Sequence, residues 1–177
     1  MIDLVRPYVA GFENANFIVG LQLSGLSNED AIRRARGDEG ASISWIVGHL
    51  LSYRCGAVRA LGLAQEDPYT ERFSVMTPAS DGRDYPDIAD LHQQWNEIHD
   101  ALNGALQVVQ EPALHATSSA PGPGGEQTVM DDLSFRLWHE AYHLGAIGML
   151  RVQWGQRHTH EMAMEAYGLT MPDPPAA

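Results

Sequence analysis

The chain has 177 residues, 44% hydrophobic and 19% charged, the composition of a folded domain with a full core rather than of a disordered segment. A net charge of −12 argues against nucleic acid and against an anionic membrane surface as partners, and no apolar run reaches the roughly 18 residues of a membrane span. Cys55 is the single cysteine, so no internal disulfide forms; with no signal-peptide pattern in Met1-Ile2-Asp3-Leu4-Val5-Arg6-Pro7, a cytoplasmic location is expected.

Residues 7 to 23 read as a first long helix, with Pro7 in its first turn and Tyr8, Phe12, Ala15, Val19 and Leu23 at helical spacing. Ser27-Asn28-Glu29-Asp30 is a cap followed by acidic first-turn residues, opening a short helix to about Ala35; residues 36–40 form a turn. A second long helix is expected from about Ser42 to Leu61, with a core stripe of Ile46, Leu50, Tyr53, Ala57 and Leu61. His49 lies beside that stripe and is the only charged or imidazole group between Ala41 and Tyr53. The connection over residues 63–86 is long enough to cross a bundle and to carry function. Asp87 caps a third long helix, in which Ile88, Leu91, Trp95, Ile98, Leu102, Ala105 and Val109 form a bundle seam. A second loop, residues 111–129, contains Pro121-Gly122-Pro123-Gly124-Gly125 and ends at a cap, Thr128 or Asp131. A fourth helix follows through the run Leu133 to Trp154. Residues 1–157 are expected to form one domain. Residues 158–177 form a C-terminal tail with one short extra helix near Glu161 to Tyr167 and a loosely ordered end from Met171. Four long helices without strand alternation make an all-α four-helix bundle.

The fourth helix carries the chemistry. Apolar residues appear on almost every side of it, Trp138 and Tyr142 included, so it reads as buried all round. Arg136, His139 and His143 share about one-sixth of a turn at 3.6 residues per turn. Imidazoles at i and i+4 can converge on one ion, with ring nitrogens about 2.1 Å from it. The bland alternative is a pair of hydrogen-bonded core histidines. His49 is the candidate third ligand, since metal sites of bundles are built on facing helices. Three histidines with an open fourth position suit catalysis, whereas structural sites are closed by four protein ligands. Tyr53, on the core stripe one turn after His49, can reach the open side, and Arg136 is an anion partner. Glu140 pairs with Arg136 or holds a ligand ring or metal-bound water. Arg54 is expected to face solvent or to be paired, His92 and His99 to be half-exposed, and His115, His158 and His160 to be surface residues. Trp45, Trp95, Trp138 and Trp154 are core anchors, and Cys55 packs as a small hydrophobe.

Two stretches carry a resemblance. Trp45-Ile46-Val47-Gly48-His49-Leu50-Leu51-Ser52-Tyr53-Arg54 with Arg59-Ala60-Leu61-Gly62 resembles the second helix of the DinB/YfiT-like superfamily. His139-Glu140-Ala141-Tyr142-His143-Leu144-Gly145-Ala146-Ile147, then Leu150-Arg151 and Trp154-Gly155, is similar to that family's last long helix. The likeness runs from the first helix to about Gly155. It implies an up-down-down-up four-helix bundle with long loops between its second and third and its third and fourth helices. It also implies one divalent ion, Zn or Ni, on His49, His139 and His143. Members include thiol-dependent S-transferases and a mycothiol-dependent isomerase. The implied activity is therefore hydrolysis or thiol transfer on a small-molecule substrate, with a low-molecular-weight thiol as co-substrate, by a homodimer in which Tyr53, Arg136 and Glu140 are the catalytic candidates. A metal-binding or dimerisation bundle without turnover is the alternative. The stretch His139-Glu140-Ala141-Tyr142-His143 also satisfies H-E-x-x-H, the zinc-protease motif, with Glu140 as base and Glu161 or Glu165 as third ligand. The extended form of that motif fails at Ala146 and Met149.

Overall fold

The computed structural model describes residues 1–37, 39–74, 77–119 and 126–170. The Pro121–Gly125 stretch, the end from Met171 and Asp38 of the 36–40 turn lie outside the described residues. Every element is helical: α1 Arg6–Leu23, α2 Asn28–Ile32, α3 Ile43–Ala60, α4 Thr70–Phe73, α5 Ile88–Val108, α6 Glu111–Leu114, α7 Val129–Gln153 and α8 Thr159–Ala166, preceded by a 3-10 turn at Asp3–Val5. Among the described residues no helix is long and apolar enough to cross a membrane.

Local chemistry sets most of these boundaries. Ser27 and Ser42 accept hydrogen bonds from the backbone N–H groups of Asp30 and Trp45, and so open α2 and α3. Thr128 and Asp131 form a reciprocal capping box that opens α7. Gly25, Gly62 and Gly155 take positive φ just beyond α1, α3 and α7, where a side chain would be strained. Two expected details differ. The α2 helix ends at Ile32 rather than near Ala35. At α5 the Asp87 side chain makes no cap; the Ile88 N–H instead donates to Asn28 Oδ1 at 2.8 Å, which ties the start of α5 to α2.

The four long helices pair as α1 with α5 and α7, and α3 with α5 and α7. Their buried apolar residues form two clusters. One joins the end of α1 (Ala15 to Leu23), the start of α3 (Ile43 to Leu51, with Cys55), Phe73, the start of α5 (Ile88 to Ile98) and the end of α7 (Leu144 to Leu150). The other joins Val5, Phe12, the end of α3 (Ala57 to Leu61), the end of α5 (Leu102 to Leu106) and the start of α7 (Val129, Leu133). Between them lies a polar waist that holds Arg54, His99, Arg136, His139 and Glu140, all buried. Sequence periodicity locates the apolar clusters but gives no hint that polar residues of α3, α5 and α7 meet inside the bundle.

The α7 helix is not buried all round. Trp138, Tyr142, Met149 and Val152 are exposed, while Arg136, Glu140 and Arg151 are turned inward. Arg136, Glu140 and Arg151 turn inward because their partners Asp132, Arg54 and the Gln22 carbonyl lie there, while Asp131 stays exposed in the capping box.

Candidate metal centre

Two helices supply three imidazoles. His49 stands on α3, and His139 and His143 stand one turn apart on α7. Their ligand nitrogens lie within 4.8 Å of one another, and they are the one such group of three among the described residues. The Nε2 atoms of His139 and His143 are 3.1 Å apart. Two ligands about 2.1 Å from one tetrahedral ion sit roughly 3.4 Å apart, so this spacing is close to that of a formed site. His139 Nδ1 is buried with no hydrogen-bond partner among the described residues. The triad thus holds more buried nitrogen than the surrounding protein satisfies, which fits a centre for a cation.

The third histidine is oriented from the long connection. The Phe73 carbonyl, at the end of α4, accepts a hydrogen bond from His49 Nδ1 at 3.2 Å, since a carbonyl can only accept. That fixes the proton on Nδ1 and leaves Nε2 bare, as metal-ligating histidines require. Gly48 makes the contact possible: a Cβ there would lie 2.3 Å from the Phe73 ring. Trp45 stacks on the other side of His49, centroids 4.7 Å apart.

All three rings are held neutral. Burial lowers the His49 pKa against the counter-effect of the Phe73 hydrogen bond. Burial, then the mutual repulsion of the rings, pulls His139 down to about 3 and His143 to about 4. Neutral imidazole is the ligand form. On one side the triad reaches the surface, because His143, Trp45, Tyr53 and Phe135 are only half-buried.

The Tyr53 ring lies against His139 (4.2 Å between centroids) and His49 (4.9 Å). Burial raises its phenol pKa; Arg136 opposes that and Asp132 adds to it, so the hydroxyl keeps its proton at neutral pH. Arg136 is buried and bonded to Asp132 Oδ2 at 3.0 Å, and it donates to the Tyr53 carbonyl, pinning α7 to α3. A Cβ at Gly56 would strike its guanidinium at 2.5 Å.

Glu140 does not pair with Arg136. It points the other way, where Arg54 binds both its oxygens, Nε to Oε1 at 2.8 Å and Nη2 to Oε2 at 2.9 Å, with both side chains sealed from solvent. Arg54 is therefore a core residue rather than a solvent-facing one. Its guanidinium also lies 3.7 Å over the Trp95 ring and contacts His99 Nδ1 at 3.2 Å. Since arginine has donors only, His99 Nδ1 accepts, and the ring proton sits on Nε2, 3.3 Å from Glu13. His99 is buried, not half-exposed. Of the carboxylates named for a protease, Glu140 is engaged by Arg54 and Glu165 by Arg157 at 2.6 Å, and neither joins the imidazole group. Sequence reading missed Phe73, Asp132, Gly48, Gly56 and the Arg54–Glu140 pair. The signal for the glycines was present, since two mid-helix glycines in α3 are unfavourable unless something packs on them.

The DinB superfamily matches residues 21–147, a stretch that contains all three histidines. The chain belongs to the DinB superfamily. Among curated proteins none matches it.

Proposed function

We propose that this DinB-superfamily chain is a metal-dependent enzyme that acts on a small-molecule substrate, as a hydrolase or as a thiol-dependent S-transferase. The observation that carries the reading is the convergence of three neutral imidazoles from two helices on a face that reaches solvent. His49, His139 and His143 would hold one divalent ion, Zn or Ni. Three nitrogen ligands and an open position are the arrangement of catalytic rather than structural sites. Such an ion supplies Lewis acidity, which lowers the pKa of whatever water or thiol it takes up.

The protein's own groups divide the remaining work. Phe73 and Trp45 hold His49 in one tautomer and one plane. Tyr53 offers a protonated hydroxyl at the rings' open side, able to donate a hydrogen bond to substrate. Arg136 acts as a positioning residue, fixing the backbone at Tyr53 through its bonds to Asp132 and the Tyr53 carbonyl. Glu140 serves the same end from the far side of α7. Cys55, buried and pushed up to about 12, is not the nucleophile. The clusters support the up-down-down-up order of the bundle; its extent over residues 1–157, with residues 158–177 as a tail, is part of the reading. The starts of α3 and α5 share one cluster with the ends of α1 and α7. A cytoplasmic location is part of the reading.

Metal titration of chelated protein tests the centre. About one ion per chain is expected, with loss of binding in each of His49→Ala, His139→Ala and His143→Ala. Full stoichiometry in His49→Ala removes His49 from the site. Turnover of a small thiol with an electrophile, or of a small ester, should vanish on chelation and return with Zn or Ni. One ion bound without any such turnover would instead support a metal-binding bundle.

A further inference from the structure

On the reading of His49 as a metal ligand, we propose that Asp67 is its positioning residue: through α4 it aims the Phe73 carbonyl that holds the His49 ring.

The connection after α3 lies back along that helix and is tied to it three times. Arg59 donates to the Gln65 carbonyl at 3.0 Å. Ser52 donates to Asp67 Oδ2 at 2.6 Å. His49 donates to the Phe73 carbonyl at 3.2 Å. The ties thus descend α3 from Arg59 to Ser52 to His49 while the connection runs forward from Gln65 to Asp67 to Phe73. The Ser52 bond is the shortest of the three and falls in the range of a hydroxyl held by an ionised carboxylate. After burial, the Asp67 charge is the next cause that raises the Cys55 thiol, so the carboxylate lies over the α3 face that Ser52 and Cys55 share. Ser52 follows His49 by about one turn. One stretch of α3 therefore carries both the ligand and the hold on its support.

Asp67 uses both of its oxygens. Oδ1 accepts the Tyr69 N–H at 3.0 Å, closing a turn across Pro68. The Tyr69 carbonyl in turn accepts the N–H groups of Arg72 and Phe73, at 2.9 and 3.1 Å. A single helical turn separates the carboxylate from Phe73. The α4 helix has only four residues, and Thr70, Glu71 and Arg72 are exposed. So short a helix is not stable by itself and needs an anchor at each end. Phe73 is the far anchor, its ring buried against Gly48 and Tyr85. A buried ring fixes where the residue sits but not where its carbonyl points, because the backbone can turn about the Cα–Cβ bond. Asp67, the near anchor, removes that freedom. The last carbonyls of a helix have no partner within it, so the Phe73 oxygen is left for the His49 N–H.

Two measurements on the full chain test this: the His49 tautomer, read by nitrogen-15 NMR of metal-free protein, and zinc titration. Wild-type His49 should carry its proton on Nδ1 alone. Asp67→Ala and Ser52→Ala should each show both tautomers and raise the zinc Kd about tenfold, the lower end of what loss of a ligand's support costs. The double variant should match the single ones, since both break the same link. Asp67→Asn should restore the single tautomer and most of the affinity, because its amide can accept from the Tyr69 N–H and donate to Ser52. Leu102→Ala, a destabilising change in the cluster distant from the histidines, should leave both readouts unchanged. Three results overturn the proposal: a single His49 tautomer in Asp67→Ala, a double variant whose effect is the sum of the two, or an Asp67→Asn protein that behaves as Asp67→Ala does. A wild type that binds no zinc would end the reading of the three histidines instead, and the tautomer, read without metal, would still test Asp67.

Discussion

At the scale of the residue, the histidines are governed by desolvation before anything else. His139 and His143 sit well below the ordinary imidazole value of 6.5, at about 3 and about 4. A group whose folded pKa is depressed binds fewer protons folded than unfolded, so stability rises with pH between the two values. For metal-free protein the contribution is fully present above about 6.5, the unfolded value. It is lost as pH falls through about 4 and about 3. Urea midpoints of chelated protein at a series of pH values should fall steadily from neutral pH toward pH 3, and more steeply than in the His139→Gln, His143→Gln double variant. Equal slopes in the two proteins would mean that the rings are not buried as described. The three-histidine cluster itself was legible in the sequence, because an i, i+4 pair and a histidine alone in an apolar stretch both violate the expected pattern of burial. Phe73 was not, because a backbone carbonyl carries no residue identity.

At the scale of the element, α3 and α7 are held in register by a buried ion pair and a guanidinium–carbonyl hydrogen bond as well as by apolar packing. The bidentate Arg54–Glu140 pair joins them beside the centre, and Arg136, steadied by Asp132 on its own helix, joins them again through the Tyr53 carbonyl. Removing one partner of a buried pair leaves a buried charge uncompensated and costs about 3–5 kcal/mol, whereas replacing both by apolar residues of similar volume is often neutral. Glu140→Ala should thus lower stability by that amount, measured by denaturant unfolding, while Arg54→Met with Glu140→Leu should recover most of it. A double variant as unstable as the single one would contradict this account. Gly48→Ala should act on the centre instead. It forces Phe73 away and frees His49, weakening metal binding by about 10–100-fold, the usual effect of losing a ligand's supporting hydrogen bond. Neither role could be read from the chain. Helical spacing puts Glu140 next to Arg136, and nothing in one dimension says that Arg54 and Asp132 compete for them. The same ambiguity misplaced Trp138 and Tyr142, since apolar residues on every side of a helix are compatible with a buried helix or with one face left for a partner.

At the scale of the whole molecule, the two apolar clusters and the polar waist have separate duties. Each cluster draws on all four long helices, and neither includes a member of the triad. Apolar burial contributes about 25 cal/mol per Å² and dominates folding, so the framework should persist without the ion. A chain of this length buries roughly 70% of the surface it exposes when unfolded, enough to fold without a metal staple. Chelation should leave the far-UV circular dichroism of the protein nearly unchanged. Melting should come earlier by an amount that grows with the logarithm of the free metal concentration removed, because an ion that binds only the folded state stabilises by RT ln(1 + [L]/Kd). The framework variants give the opposite pattern: Leu102→Ala, in the cluster distant from the histidines, should cost about 2–5 kcal/mol whether or not metal is present. Collapse of the helical signal on chelation would make the ion structural and would remove the main support for an open, reactive centre. An unchanged signal together with lost turnover is the result expected of a bundle that folds on its apolar clusters and uses its waist for chemistry.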